Sequence, residues 1–155
     1  MHKTKQKLSL WEHYLTKEIG IEFKACLYFF CILFFYCVYK LVCGIHEAEI
    51  LHMTEMIFLT YFMGYIQVYL LSNFDEAEHL GRKEWIFMLL CTLVYTLFSY
   101  LFSWFDRNLA VSLGFLFYVL TMYLCAFMVY KSKRKIDEKL LNADLKAFQE
   151  RGQHE

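Results

Sequence analysis

Two stretches of this chain, Ile86 to Phe105 and Leu109 to Tyr130, contain no charged residue, and only Asp106, Arg107 and Asn108 separate them. A helix rises 1.5 Å per residue, so about 20 residues match the ~30 Å hydrocarbon core of a bilayer. In lipid every backbone N–H and C=O must be satisfied within the protein, and a helix does this inside a single segment. The pair therefore reads as a helical hairpin through a membrane, with the polar triplet as its turn. Lys131, Lys133, Arg134 and Lys135 follow at once and hold that end on one side.

Upstream the same reasoning finds two further runs. Spans are expected at about 23–43, 54–71, 86–105 and 109–130, from the placement of apolar runs. Hydrophobic residues make up 59% of the 155, against roughly 45–50% in a soluble domain, and the excess lies in these runs. The expected fold is all-α: an integral membrane four-helix bundle with an N-terminal interfacial amphipathic helix and a C-terminal cytoplasmic helix. This divides the chain into 1–22, 23–131 and 132–155. Proline is absent, which favours fairly straight helices over broken ones. The first apolar run begins near Ala25 without a small-x-small site, so no cleavable signal peptide is expected, and no lipidation box is seen at the C-terminus.

Ser9 and Glu12 have capping-box spacing, and Leu8, Trp11, Leu15 and Ile19 then share a face. That helix is expected to lie on the membrane surface or to dock on a partner, ending at Gly20. In the tail, Ile136, Leu140, Leu141, Leu145 and Phe148 fall within one half of a helix. It either continues span 4 or folds back on the membrane.

The charges set a direction. Lys3, Lys5, Lys7, Lys17, Lys24, Arg82, Lys83, Lys131, Lys133, Arg134, Lys135, Lys139, Lys146 and Arg151 share the side of both termini, leaving only Lys40 and Arg107 opposite. Positive residues stay inside, so both termini are expected in the cytoplasm of a multi-pass cell-membrane protein. Lys40 is expected to snorkel to the interface or to pair with an outer carboxylate. No basic patch interleaves with exposed aromatics, which argues against direct nucleic-acid binding.

Three groups of residues could carry function. On the outer side, His46, Glu49, His52 and Glu55 suit ligand or proton sensing, although no zinc or di-iron spacing is matched and no metal or other cofactor is expected. In span 2, Tyr61, Tyr65 and Tyr69 recur every four residues near Gln67, so a polar face looking inward is expected, with Gly64 allowing close helix approach. On the cytoplasmic side, Arg82, Lys83, Lys133, Arg134, Lys135, Ile136, Leu140 and Leu141 form a docking surface. Asp75, Glu76 and Glu78 around His79 read as a surface helix start. The six cysteines include no Cys-x-x-Cys pair and read as small buried hydrophobes. No nucleotide-binding glycine motif and no activated serine is evident, so an enzyme is not expected.

The short loop after span 2, the interrupted last hairpin and the exit Tyr130-Lys131-x-Lys133-Arg134-Lys135-Ile136-Asp137-Glu138-Lys139-Leu140-Leu141 together resemble a bacterial family of small four-span membrane proteins, the domain of unknown function 3021 group. The resemblance implies a bacterial, regulatory protein that accompanies a LytTR-type DNA-binding regulator and holds it at the membrane. The expected function is thus a non-enzymatic membrane regulator or scaffold whose partners are membrane lipids, a cytoplasmic regulator and further copies of itself in a homo-oligomer. The alternatives are a small transporter or transporter subunit using the span 2 face, and an outer-face ligand or pH sensor.

Overall fold

A computed structural model describes residues 10–71 and 73–152. Leu8, Ser9 and the basic residues Lys3, Lys5 and Lys7 lie outside the described residues, as does the side chain of Glu12, so the capping-box reading does too. The described chain is helical nearly throughout. Helix α1 is Leu10–Val42, α2 is Ile50–Tyr65 and runs on as a π stretch Ile66–Leu70, a single 3₁₀ turn spans Phe74–Glu76, α3 is Arg82–Leu101 and α4 is Leu109–Gly152.

Three segments are long and apolar enough to cross a membrane, Tyr14–Val42, Arg82–Leu101 and Leu109–Lys146. Helix α2 is shorter, at 16 residues before its five-residue π continuation. The coarse expectation of an all-α bundle of apolar helices therefore matches the structure. A separate N-terminal amphipathic helix does not: α1 passes through Gly20 without a break. Nothing lies within 4 Å of where a Gly20 Cβ would sit, and hydrogen bonding of the flanking turns carries the helix across it. With 33 and 44 residues, α1 and α4 reach about 50 and 66 Å, well beyond a ~30 Å core. The tail continues span 4 rather than folding back.

The bundle is two hairpins, α1 with α2 and α3 with α4. The first closes at Gly64, where an added Cβ would meet Ile21 Cγ2 at 3.3 Å and the Ile21 carbonyl at 3.6 Å; glycine lets the backbones approach as expected. The core is aromatic. Phe35 lies 5.4, 5.3 and 4.9 Å from the rings of Phe105, Phe115 and Tyr118, and Tyr28 meets Tyr123 edge-on at 5.1 Å. Around it the helices turn large apolar side chains outward, including Phe30, Phe34, Phe58 and Phe117, as lipid-facing surfaces require.

Helix α3 stops at Leu101, short of the expected Phe105. The segment 102–108 turns tightly, with Ser103, Asp106 and Arg107 at positive φ. Trp104 and Phe105 fold inward and are fully buried, so neither marks an interface. Asn108 Oδ1 then accepts from the backbone N–H groups of Ala110 and Val111 at 3.1 and 3.4 Å, capping α4. Of the cysteines only Cys91 is buried; Cys26, Cys43 and Cys125 lie on the bundle surface, since the apolar surroundings of a membrane helix include lipid.

Candidate functional site

The acids in the connection between the α2 element and α3 are expected from the sequence to start a surface helix. Part of this connection instead plugs the end of the bundle where α1 begins and α4 leaves. Asn73 adopts the left-handed conformation at φ 54°, which reverses the chain and drives Phe74 and Asp75 inward. Phe74 is buried against the Tyr123 ring at 5.3 Å, and Asp75 is 0% exposed.

The partner of Asp75 comes from α1. Lys24, 1% exposed, places Nζ 2.7 Å from Asp75 Oδ1 and 3.0 Å from Glu76 Oε1. It also donates to Asn73 Oδ1, and its ammonium lies 5.4 Å from the centre of the Tyr130 ring on α4. All three ammonium protons therefore have acceptors. Tyr28, one turn further along α1, donates to Asp75 Oδ2 at 2.7 Å, and Gln67 Nε2 reaches the Tyr28 oxygen at 3.5 Å. Arg134 on α4 donates to the Glu76 carbonyl. Four residues of the connection thus bind α1 and α4 together. Deeper still, Gln67 Oε1 and the hydroxyls of Tyr95 and Tyr123 are buried without a hydrogen-bond partner among the described residues.

A second cluster sits at the opposite end. His52, in the first turn of α2, has Nε2 3.1 Å from Glu49 Oε2 and Nδ1 3.0 Å from Glu55 Oε2. One carboxylate thus faces each ring nitrogen of His52. Glu55 Oε2 also accepts from Trp104 Nε1 at 2.9 Å. Lys40 on α1 lies 3.7 Å from Glu49 Oε1 and 5.6 Å from the centre of the buried Tyr36 ring, so it pairs with a carboxylate at this end of the bundle. The backbone N–H of Glu49 donates to the Tyr36 hydroxyl at 3.4 Å. Glu49, His52 and Glu55 come together as one cluster, whereas His46 stands exposed on the connection, apart from it.

The remaining expected residues divide. Gln67 turns into the core, at 0% exposure, but Tyr61 and Tyr69 stay on the surface at 37% and 47%. The tyrosine stripe is not the inward face expected of it. Its positions flank the buried stripe of Met56, Met63, Gly64 and Gln67, and its polar groups find partners on the exposed side of α1. Tyr65 donates to Glu18 at 2.8 Å, and Lys17 lies 5.6 Å from the Tyr69 ring centre. Arg82, Lys83, Lys133 and Lys135 are exposed, and Arg134 is half-buried on Glu76. Ile136, Leu140 and Leu141 are 57%, 60% and 61% exposed on the α4 extension.

Sequence reasoning missed the Lys24–Asp75 pair. Its visible signal was Lys24 itself, a lone cation between Phe23 and Ala25 in an apolar run, which needs a counterion if it is to stay inside. His79 is exposed and α3 begins only at Arg82, so the acids near His79 do not start a helix.

No protein-family model, curated protein or solved structure matches this chain. Fold and clusters together define its class: an all-α bundle with several long apolar helices, in keeping with a multi-pass membrane protein.

Proposed function

We propose that this chain is a non-enzymatic regulatory membrane protein that crosses the bilayer four times, with both termini in the cytoplasm, and holds a soluble regulator on the extension of α4. The observation that carries this reading is the extension itself. Past Tyr130 the helix continues to Gly152, about 33 Å at 1.5 Å per residue. Along it Ile136, Leu140, Leu141, Leu145 and Phe148 are all at least half exposed. An isolated helix gains little from propensity alone, and such a face is the kind that an amphipathic helix lays into a groove. Lys131, Lys133, Lys135, Lys139 and Lys146 around it suit an acidic rim on the partner.

The four-span count takes the α2 element as a crossing, because its helix and π stretch together are as long as the hydrocarbon core requires. Orientation rests on the fourteen basic residues at the end with both termini. The resemblance to the domain of unknown function 3021 group supports a bacterial LytTR-type regulator as the partner and inhibition by tethering as the mode. The test is co-purification of that regulator with the full chain from membranes. Leu140→Asp/Leu141→Asp is expected to release it while the membrane domain stays folded; retention by the double variant overturns the reading. A transport path along Tyr61, Tyr65, Gln67 and Tyr69 is disfavoured, since Gln67 alone of the four is buried and Tyr61 and Tyr69 face outward.

A second reading, compatible with the first, is favoured by His52. A histidine held between two carboxylates at the outer end gives the protein a compact charged cluster that a ligand on that side could engage. The groups facing the histidine are Glu49 and Glu55 from its own element and Tyr36 and Lys40 from α1, with Trp104 from the α3–α4 turn. The imidazole links Glu49 to Glu55, so replacing it breaks the Glu49–His52–Glu55 chain. Regulator binding that is the same in wild type and in His52→Gln would remove the sensing role.

A further inference from the structure

Along the seam between α1 and α4, the half farther from the termini is closed. Phe35 fills it against Phe105, Phe115 and Tyr118, and Tyr118 donates to the Cys31 carbonyl at 2.9 Å. Toward the termini the facing side chains become small, at Cys31, Cys125 and Ala126, and the seam opens into a groove of about 390 Å³. Along α4 it runs from Met122 to Lys133, about 16 Å at 1.5 Å per residue. That is close to half of a ~30 Å hydrocarbon core, the depth of one leaflet.

The groove's chemistry is one-sided. Its walls are almost wholly apolar, no carboxylate lines it, and its one charged lining residue is Lys133, at the end where the termini emerge. Lys24 is turned away, engaged by Asp75, Glu76 and Asn73, while Lys131 lies over the Phe127 ring. Lys133 is exposed and has no acidic partner among the described residues. A second, more open apolar depression of about 410 Å³ overlaps the first at Val129 and Lys133 and continues along α4 past the lysine to Ile136. An apolar groove of one-leaflet depth that ends at a single lysine without an acidic partner matches lipid acyl chain beneath a negatively charged headgroup.

We propose that the α1–α4 groove is a specific site for an anionic diacyl phospholipid, its acyl chains against Cys125, Ala126 and Val129 and its headgroup phosphate on Lys133. A basic position between membrane helices at the leaflet surface is the usual device for retaining an acidic lipid. A surface lysine is worth about fivefold in such binding.

The test uses the full chain purified from membranes in mild detergent and exchanged with mixed micelles of phosphatidylglycerol and phosphatidylcholine, with native mass spectrometry reading retained lipid. Wild type is expected to keep one phosphatidylglycerol in preference to phosphatidylcholine. Lys133→Ala lowers that preference about fivefold, and Lys133→Arg keeps it. Cys125→Phe, a substitution at an exposed position inside the groove, removes bound lipid of either kind. Leu97→Phe, in the apolar depression between α3 and α4 that lacks a basic residue, leaves retention unchanged. Equal retention of the two lipids by wild type would mean an ordinary boundary lipid and would overturn the proposal. So would a Lys133→Ala variant with undiminished preference, or a Leu97→Phe loss equal to that of Cys125→Phe. None of these outcomes depends on whether a soluble regulator binds the extension.

Discussion

Breaking the Lys24–Asp75 pair from each side should give unequal losses, because the two ions keep different company when left alone. With Lys24→Met, Asp75 stays at 0% exposure and retains only the neutral Tyr28 hydroxyl at 2.7 Å. A buried charge stripped of its counterion costs about 3–5 kcal/mol. With Asp75→Leu, Lys24 still has Glu76 Oε1 at 3.0 Å and Asn73, so the loss is nearer that of one charged hydrogen bond, about 1.5–3 kcal/mol. The double variant Lys24→Met/Asp75→Leu buries no ion from this pair. Replacing a buried pair with apolar groups is often close to neutral, so the double variant should lie within about 1–2 kcal/mol of wild type and above either single variant. The assay is reversible unfolding in mixed micelles, followed by far-UV and near-UV circular dichroism together so that two-state behaviour is checked. The reasoning fails if Lys24→Met costs less than about 1 kcal/mol, since an effectively desolvated pair cannot be that cheap to break. It fails equally if the double variant is no more stable than Lys24→Met, which would show that the two side chains act independently.

Three other outcomes follow from the packing. Gly64→Leu should destabilise by about 1–3 kcal/mol through overpacking against Ile21, and Ile21→Ala should recover part of that loss in the same unfolding assay; a silent Gly64→Leu would mean that α1 and α2 do not meet there. In a Trp11→Phe/Trp85→Phe background Trp104 is the remaining tryptophan of the three, and adding His52→Gln should shift its emission, because Glu55 Oε2 meets both the Trp104 N–H and the His52 ring; an unchanged spectrum would mean that the cluster does not hold the indole. In a chain stripped of other cysteines, an impermeant maleimide applied to intact cells should label Cys43 and spare Ser132→Cys, with the reverse pattern overturning the orientation.

The membrane hairpin, the Gly64 approach and the continuous apolar faces were legible because they depend on local composition and helical spacing, which lipid enforces. The placement of Asp75 was not. Its neighbours Glu76 and Glu78 look like any solvated acidic loop, and the residue that draws Asp75 inward, Lys24, is 51 positions away in the chain. Trp104 is a related case. A tryptophan beside a polar turn usually sits at headgroup level, but here three residues at positive φ curl the turn inward and bring its N–H to Glu55. The tyrosine stripe of α2 was correctly seen as one face. Which way that face points depends on where Glu18 and Lys17 of α1 fall, and periodicity within α2 carries no information about this.

These misses converge on one consequence. The segment around Asn73 to Glu76 grips both long helices: Lys24 of α1 holds Asn73, Asp75 and Glu76 by side chains, and Arg134 of α4 holds the Glu76 backbone. Arg134 lies in the first turn of the extension past Tyr130, so the angle at which that helix leaves the bundle is tied to the ion pair on α1. Helix α1 in turn carries Lys40, beside Glu49, 16 residues further along, about 24 Å away at 1.5 Å per residue. Helix α1 therefore joins the two charged clusters in one rigid element, and coupling between them requires that this element have two arrangements that both clusters bias. If α1 shifts when the Glu49–His52–Glu55 chain is broken, the first element to feel it on the far side is the turn at Phe74–Glu76, and the next is the base of the α4 extension.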